Sequence, residues 1–329
     1  MRPILLQGHT RPLTQIKYNR EGDLLFSVAK DKVVNAWYAH NGERLGTYDG
    51  HEGALFSVDV NSSTTMLVTG AADNTIRLWE VKTGKLLHTW KTNTSVKRVE
   101  FSKDDNYIVA LTEKQMKFES EILIYKINDL GTPQPSSPVV SIFPHPSKAT
   151  VVAWSYYNKY IIAAHEDGSV SLYDWHVSDP EKQLVKNVQV HSSSITDLQT
   201  SEDGTYFITA ARDKAACLLD ADNLDIIKKY STDAALNTAA IVPDKDLIVL
   251  GGGQAASEVT TTSSRQGKFE SRFYHKIFEH EVGRVKGHFG PINTVAVSPA
   301  GDSFSTGGED GYVRVQFFDE DYHSFKFDF

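Results

Sequence analysis

Short stretches of alternating apolar and polar residues recur along the chain. Clusters of Gly, Asn, Asp, Ser and Thr separate them. The pattern is fullest between Leu55 and Trp90. Leu55–Val60 alternates and reads as a strand, followed by candidate strands at Met66–Thr69, Thr75–Trp79 and Leu86–Trp90. Asn61-Ser62-Ser63, Ala72-Asp73-Asn74 and Lys82-Thr83-Gly84 mark the turns between them. The unit is therefore four short strands joined by tight turns. No apolar run approaches the ~18 residues that span a bilayer.

The unit repeats. His51 is followed by Asp73 after 22 residues and by Trp79 after 28. The same intervals lead from His9 to Asp31 and Trp37, and from His191 to Asp213 and Leu219. They also lead from His288 to Asp310 and Gln316, and from His145 to Asp167 and Tyr173. The apolar runs Val96–Phe101 and Leu236–Ile241 place two weaker units, giving starts near 9, 51, 92, 145, 191, 232 and 288. The resulting intervals of 41 to 56 residues match the ~40–45-residue period of WD40 propeller blades, with insertions in units three and six. This predicts an all-β, seven-bladed propeller occupying residues 1–329 as a single domain, although length alone suggests two. Pro3–Gln7 reads as a fourth strand with no blade of its own before it. Pairing with the last unit, at about Ile292–Val297, Asp302–Thr306 and Tyr312–Phe317, closes the ring.

The repeated polar residues have a structural role in this frame. Each set forms a buried hydrogen-bonded chain from the loop before strand A, through strand B, to the B–C turn. The sets are His9, Ser27, Asp31, Trp37; His51, Thr69, Asp73, Trp79; His191, Thr209, Asp213; and His288, Thr306, Asp310. Unit four has Ala163 at the Ser/Thr position and unit six has Gln254 for Asp, so those blades need other ties.

Composition narrows the function. The 34 Lys and Arg against 42 Asp and Glu give a formal net charge of −8, which argues against a dedicated nucleic-acid binder. A single cysteine, Cys217, excludes an internal disulfide; with no apolar leader, it points to the reducing cytoplasm. No phosphate loop, zinc spacing, His-Glu-x-x-His or nucleophile elbow occurs, so no catalytic residue, metal or cofactor is expected. Gly251-Gly252-Gly253 follows a strand, Leu247–Leu250, and reads as a turn. Three irregular features remain: the loop Gly131–Pro138, the insertion 254–268, and the aromatic C-terminus, where Ser324–Phe329 reads as an extra strand.

A more specific resemblance lies in units six and seven. Gly251-Gly252-Gly253-Gln254, Val259-Thr260-Thr261-Thr262-Ser263, Gly267-Lys268-Phe269-Glu270 and Arg272-Phe273-Tyr274-His275 lead into Gly283-Arg284-Val285-Lys286-Gly287-His288-Phe289-Gly290-Pro291. The N-terminus adds Leu5-Leu6-Gln7-Gly8-His9 and the run Thr14–Phe26. These segments closely resemble the family of subunit i of eukaryotic translation initiation factor 3, in its fungal form, from end to end. The surface loops of units three and four depart most. The resemblance implies a non-enzymatic scaffold that docks a helical segment of subunit b, holds the N-terminal region of subunit g, and joins the small ribosomal subunit through the complex. There it would support preinitiation-complex assembly and scanning. No membrane contact and no sequence-specific nucleic-acid binding are expected.

A basic amphipathic helix needs an acidic rim with apolar anchors. Units five and six offer Glu202, Asp203, Asp220 and Asp222 beside Leu218 and Leu224. Asp220, Asp203 and Leu218 are the candidate partner-binding residues, with Gln254 as a fourth that holds the insertion in place. The competing expectation is a WD40 adaptor that reads modified peptides in signalling or ubiquitin ligation. That role calls for arginines clustered at one mouth of the ring. Arg20, Arg77, Arg212 and Arg314 read as scattered among blade positions.

Overall fold

A computed structural model describes residues 3–253 and 269–319. Gln254, the 254–268 insertion and Ser324–Phe329 lie outside the described residues.

Seven four-stranded antiparallel sheets form seven blades around an axis. In six blades the strands A to D follow chain order; in the seventh, Ile4–Gln7 supplies strand D by pairing with Tyr312–Phe317. The A strands are Leu13–Tyr18, Leu55–Val60, Val96–Phe101, Ala149–Trp154, Ile195–Thr200, Leu236–Ile241 and Ile292–Val297. Consecutive A strands touch, the first touches the seventh, and the ring is closed.

Apolar residues on each blade face pack against the next blade, so the core is divided among the blade interfaces. At the closure, Leu6, Val313 and Val315 of blade seven pack against Leu13, Ile16 and Trp37 of blade one. The loop Gly131–Pro138 joins strand C of blade three (Ile122–Lys126) to a short strand D (Val140–Ile142). It is largely exposed, yet the Trp90 indole donates to the Pro135 carbonyl at 2.7 Å and fixes it.

Two devices tie blade to blade. Every A–B ladder carries a bulge after the first residue of strand A, as between Leu13 and Gln15 or Ile195 and Asp197. A bulge leaves one residue outside the ladder and re-aims its side chain. Thr14, Thr150 and Thr196 use that freedom to donate to Leu55, Ile195 and Leu236 carbonyls at 2.9, 2.7 and 3.0 Å. Asn237 and Asn293 do the same toward Ile292 and Leu13, both at 3.0 Å. The bulged residues of blades two and three instead stack, with the Lys97 ammonium 3.8 Å from the centre of the Phe56 ring.

The second device is polar packing among the A strands. The Gln15 side chain accepts from Val58 N, and Asp59 accepts from Phe101 N. Thr238 donates to Asp197 at 2.7 Å and accepts from Val295 N. Arg98 of blade three reaches the Leu198 carbonyl of blade five at 3.3 Å, and Gln199 reaches the Val295 carbonyl of blade seven at 2.9 Å. Polar residues alternating along an A strand therefore face one another across the axis rather than open water.

Candidate partner-docking site

Antiparallel blades present two faces. The D–A and B–C loops lie at one end of the strands; the A–B and C–D turns lie at the other. The His–Asp chains occupy the first face. His51 Nδ1 sits 2.8 Å from Asp73, its Nε2 sits 2.7 Å from Thr69 Oγ1, and Trp79 Nε1 donates to the same oxygen at 2.9 Å. His9 repeats this with Asp31, Ser27 and Trp37 at 3.0, 2.8 and 2.9 Å. His191 meets Asp213 and Thr209 at 3.1 and 2.8 Å, and His288 meets Asp310 and Thr306 at 3.1 and 2.8 Å. In blades one and two the chain runs from indole N–H to hydroxyl, hydroxyl to Nε2 and Nδ1–H to carboxylate, whereas in blade seven Arg314 donates to His288 Nδ1 at 2.6 Å. Each aspartate also accepts a loop amide, so every member is satisfied and the chain fixes geometry instead of performing chemistry.

The other blades are tied differently. In blade four the His145-to-Asp167 interval makes no contact. Tyr173 at the tryptophan position exchanges hydrogen bonds with the His145 backbone at 3.0 Å, and Asp167 caps its own turn through Ser169. His165, moved onto strand B, links Ser171 to the Ser147 carbonyl at 2.7 and 2.8 Å. In blade six Arg272 pairs with Asp233.

Strand register also corrects the arginine reading. Arg77 pairs with Thr69, Arg314 with Thr306 and Arg272 with Leu250, so all three occupy one equivalent position. Arg314 and Arg272 are buried, and each of the three faces an aspartate. They are internal ties rather than a cluster at a mouth.

The candidate docking residues lie at the opposite face. Asp203 sits in the A–B turn of blade five. It accepts from Ser201 Oγ at 2.6 Å, Thr205 N at 3.1 Å and Thr205 Oγ1 at 2.8 Å. Partial burial raises its pKa, but these donors outweigh burial and hold the carboxyl below its usual range. Asp220 ends strand C and accepts from Asp222 N at 2.8 Å and Asn223 N at 3.1 Å, which shapes the C–D turn. Asp222 accepts from the Lys159 ammonium and the Tyr156 hydroxyl, both at 2.7 Å, and so joins the turns of blades four and five. Lys103 of blade three reaches the Glu202 carbonyl at 3.3 Å. These contacts bring Glu202, Asp203, Asp220 and Asp222 onto one rim.

The apolar anchors need correction. Leu218 is only 4 % exposed and packs with Ile208, Tyr230 and Ile248 between blades five and six. Leu224 is buried against Phe207 and Leu219. Neither is presented at the surface, because both point into blade interfaces. Exposed apolar residues of blades four to six include Tyr157, Ile226, Ile227, Ile277 and Phe278, of which Tyr157 is 92 % exposed. Lys228 and Tyr230, on the strand side that faces blade six, reach Glu279 and the Lys276 carbonyl of the blade-six turn at 3.2 and 2.6 Å, whereas Ile226 pairs with Leu219 beyond a bulge and lies on the blade-four side. A bulge at Ile227 interrupts the alternation, so the sides of Ile226 and Ile227 follow from register rather than from spacing, whereas Ile277-Phe278 occupies a turn.

The family model described as EIF3I matches residues 1–328. The chain is 59% identical over 331 residues to "Eukaryotic translation initiation factor 3 subunit I" of Botryotinia fuckeliana, covering 100% of this chain and 98% of the relative. Proteins of the same name from Neurospora crassa and Schizosaccharomyces pombe are 56% and 55% identical, covering 94% and 99% of those relatives and 100% and 99% of this chain. The chain belongs to the family of subunit I of eukaryotic translation initiation factor 3.

Proposed function

We propose that the chain is a non-enzymatic scaffold, one domain across residues 1–329, working within initiation factor 3. In this reading the rim of blades four to six docks a basic amphipathic helix of subunit b. A segment of subunit g binds the same propeller. The assembled complex supports preinitiation-complex assembly and scanning on the small ribosomal subunit. The observation that carries the docking claim is the juxtaposition of Asp203, Asp220 and Asp222 with exposed Tyr157, Ile226 and Ile277 on one rim. Acidic residues steer a basic helix, and apolar residues hold it.

Asp220→Lys removes both the charge and the acceptor that shapes the turn, so it confounds binding with local structure. Asp220→Asn keeps an acceptor for both amides. Its expected outcome is roughly tenfold weaker pulldown of the subunit b helix with an unchanged melting temperature. Unchanged affinity for both variants removes Asp220 from the site.

A further inference from the structure

We propose that a cavity above blade one, on the face away from the docking rim, binds a phosphorylated serine or threonine of a peptide. The cavity is about 500 Å³ and is lined by Thr10, Arg11, Pro12, Lys30, Asp31 and Lys32. Its three cations are exposed, and none forms an ion pair with a described residue. Asp31 is turned away from a ligand: its oxygens take His9 Nδ1 at 3.0 Å, Thr10 N at 2.9 Å and Val33 N at 3.3 Å. Three cations against one carboxylate leave the lining with a net charge of about +2, on a chain whose formal net charge is −8.

The fold does not require this charge. Only the network aspartate is needed in the B–C turn. Blade two flanks it with Ala72 and Asn74, blade four with Glu166 and Gly168, and blade seven with Glu309 and Gly311. Blade one instead reads Lys30-Asp31-Lys32. Lys32 has φ +74°, in the left-handed region that blades four and seven fill with glycine at +88° and +77°, blade two with Asn74 at +59° and blade five with Lys214 at +67°. A β-carbon is disfavoured there. Blade five supplies an internal comparison: Arg212-Asp213-Lys214 repeats the turn, but Ser193 stands where blade one has Arg11.

The ligand class follows from charge and surroundings. A phosphoryl group carries close to two negative charges and three acceptor oxygens, matching three cations better than a carboxylate does. A single-stranded nucleic acid fits less well. The cavity lining holds no aromatic ring for base stacking.

The test is fluorescence anisotropy of the full chain with a short labelled peptide containing one phosphoserine. Identical peptides with serine or glutamate, and a single-stranded RNA, serve as comparisons. The phosphopeptide is expected to bind at least tenfold tighter than the glutamate peptide and to resist competition by the RNA. Lys32→Gly relieves the backbone strain, so it should keep or raise the melting temperature while weakening the phosphopeptide about tenfold. Arg11→Ser should weaken it similarly. Equal binding of the phosphorylated and glutamate peptides, displacement by RNA, or unchanged affinity in both variants overturns the proposal.

Discussion

Trp79 shows how one side chain serves both packing and polarity. Its ring is buried between blades one and two, while its N–H begins the chain through Thr69 and His51 to Asp73. Trp79→Ala removes both, and should destabilise the protein by about 3–5 kcal/mol in a denaturant titration. A midpoint equal to that of the parent contradicts the burial. The histidines make a second prediction. Burial is the main cause that holds His51, His165 and His191 below the ordinary value of 6.5, only partly offset by Asp73, the Ser147 carbonyl and Asp213 respectively. The unfolded chain therefore binds more protons than the folded one below that value. The associated stability is complete above 6.5 and is lost as pH falls. Melting temperature should drop between neutral pH and about 5.5, and a flat profile refutes neutral, buried imidazoles. Cys217 behaves differently: burial pushes its thiol up to about 12, which makes it an inert core residue.

The strands were legible to different degrees. Leu55–Val60, Val96–Phe101, Leu236–Ile241, Ile292–Val297 and Tyr312–Phe317 have the ends their alternation predicts. Strands B run longer, as Met66–Ala71 shows, because small residues such as Gly70 and Ala71 continue a ladder without an apolar signal. The bulge ties were not legible. A threonine at the second place of strand A looks like an exposed alternating position, and only the bulge turns it toward the next blade. Thr196→Val keeps the shape but leaves the Leu236 and Ala210 carbonyls without this donor. It should cost about 1–2 kcal/mol by thermal or chemical melt, as loss of one shared hydroxyl donor between two buried carbonyls does. An unchanged midpoint would show that the bulge donors are incidental. The same logic explains the hidden arginines. Counting 26 residues from His51 and His288 already aligns Arg77 and Arg314, whereas only register adds Arg272, whose unit has no such histidine and carries an insertion.

Across the molecule, the two faces divide the work. One face is occupied by His–Asp chains that fix loop geometry. The other gathers aspartates and exposed apolar side chains around blades four to six. The acidic half of the proposed docking site was legible in sequence, because Asp203 and Asp220 fall in recognisable turns. The apolar half was not, because exposure depends on which strand side faces the neighbouring blade. That is why Leu218 looked available and Ile226 did not. The most direct measurement is affinity purification of the chain from its own cells, followed by native mass spectrometry. The account predicts recovery in a large assembly containing the b and g subunits of initiation factor 3, together with small ribosomal subunits. Recovery of the chain as a lone monomer, with none of these partners, would contradict it.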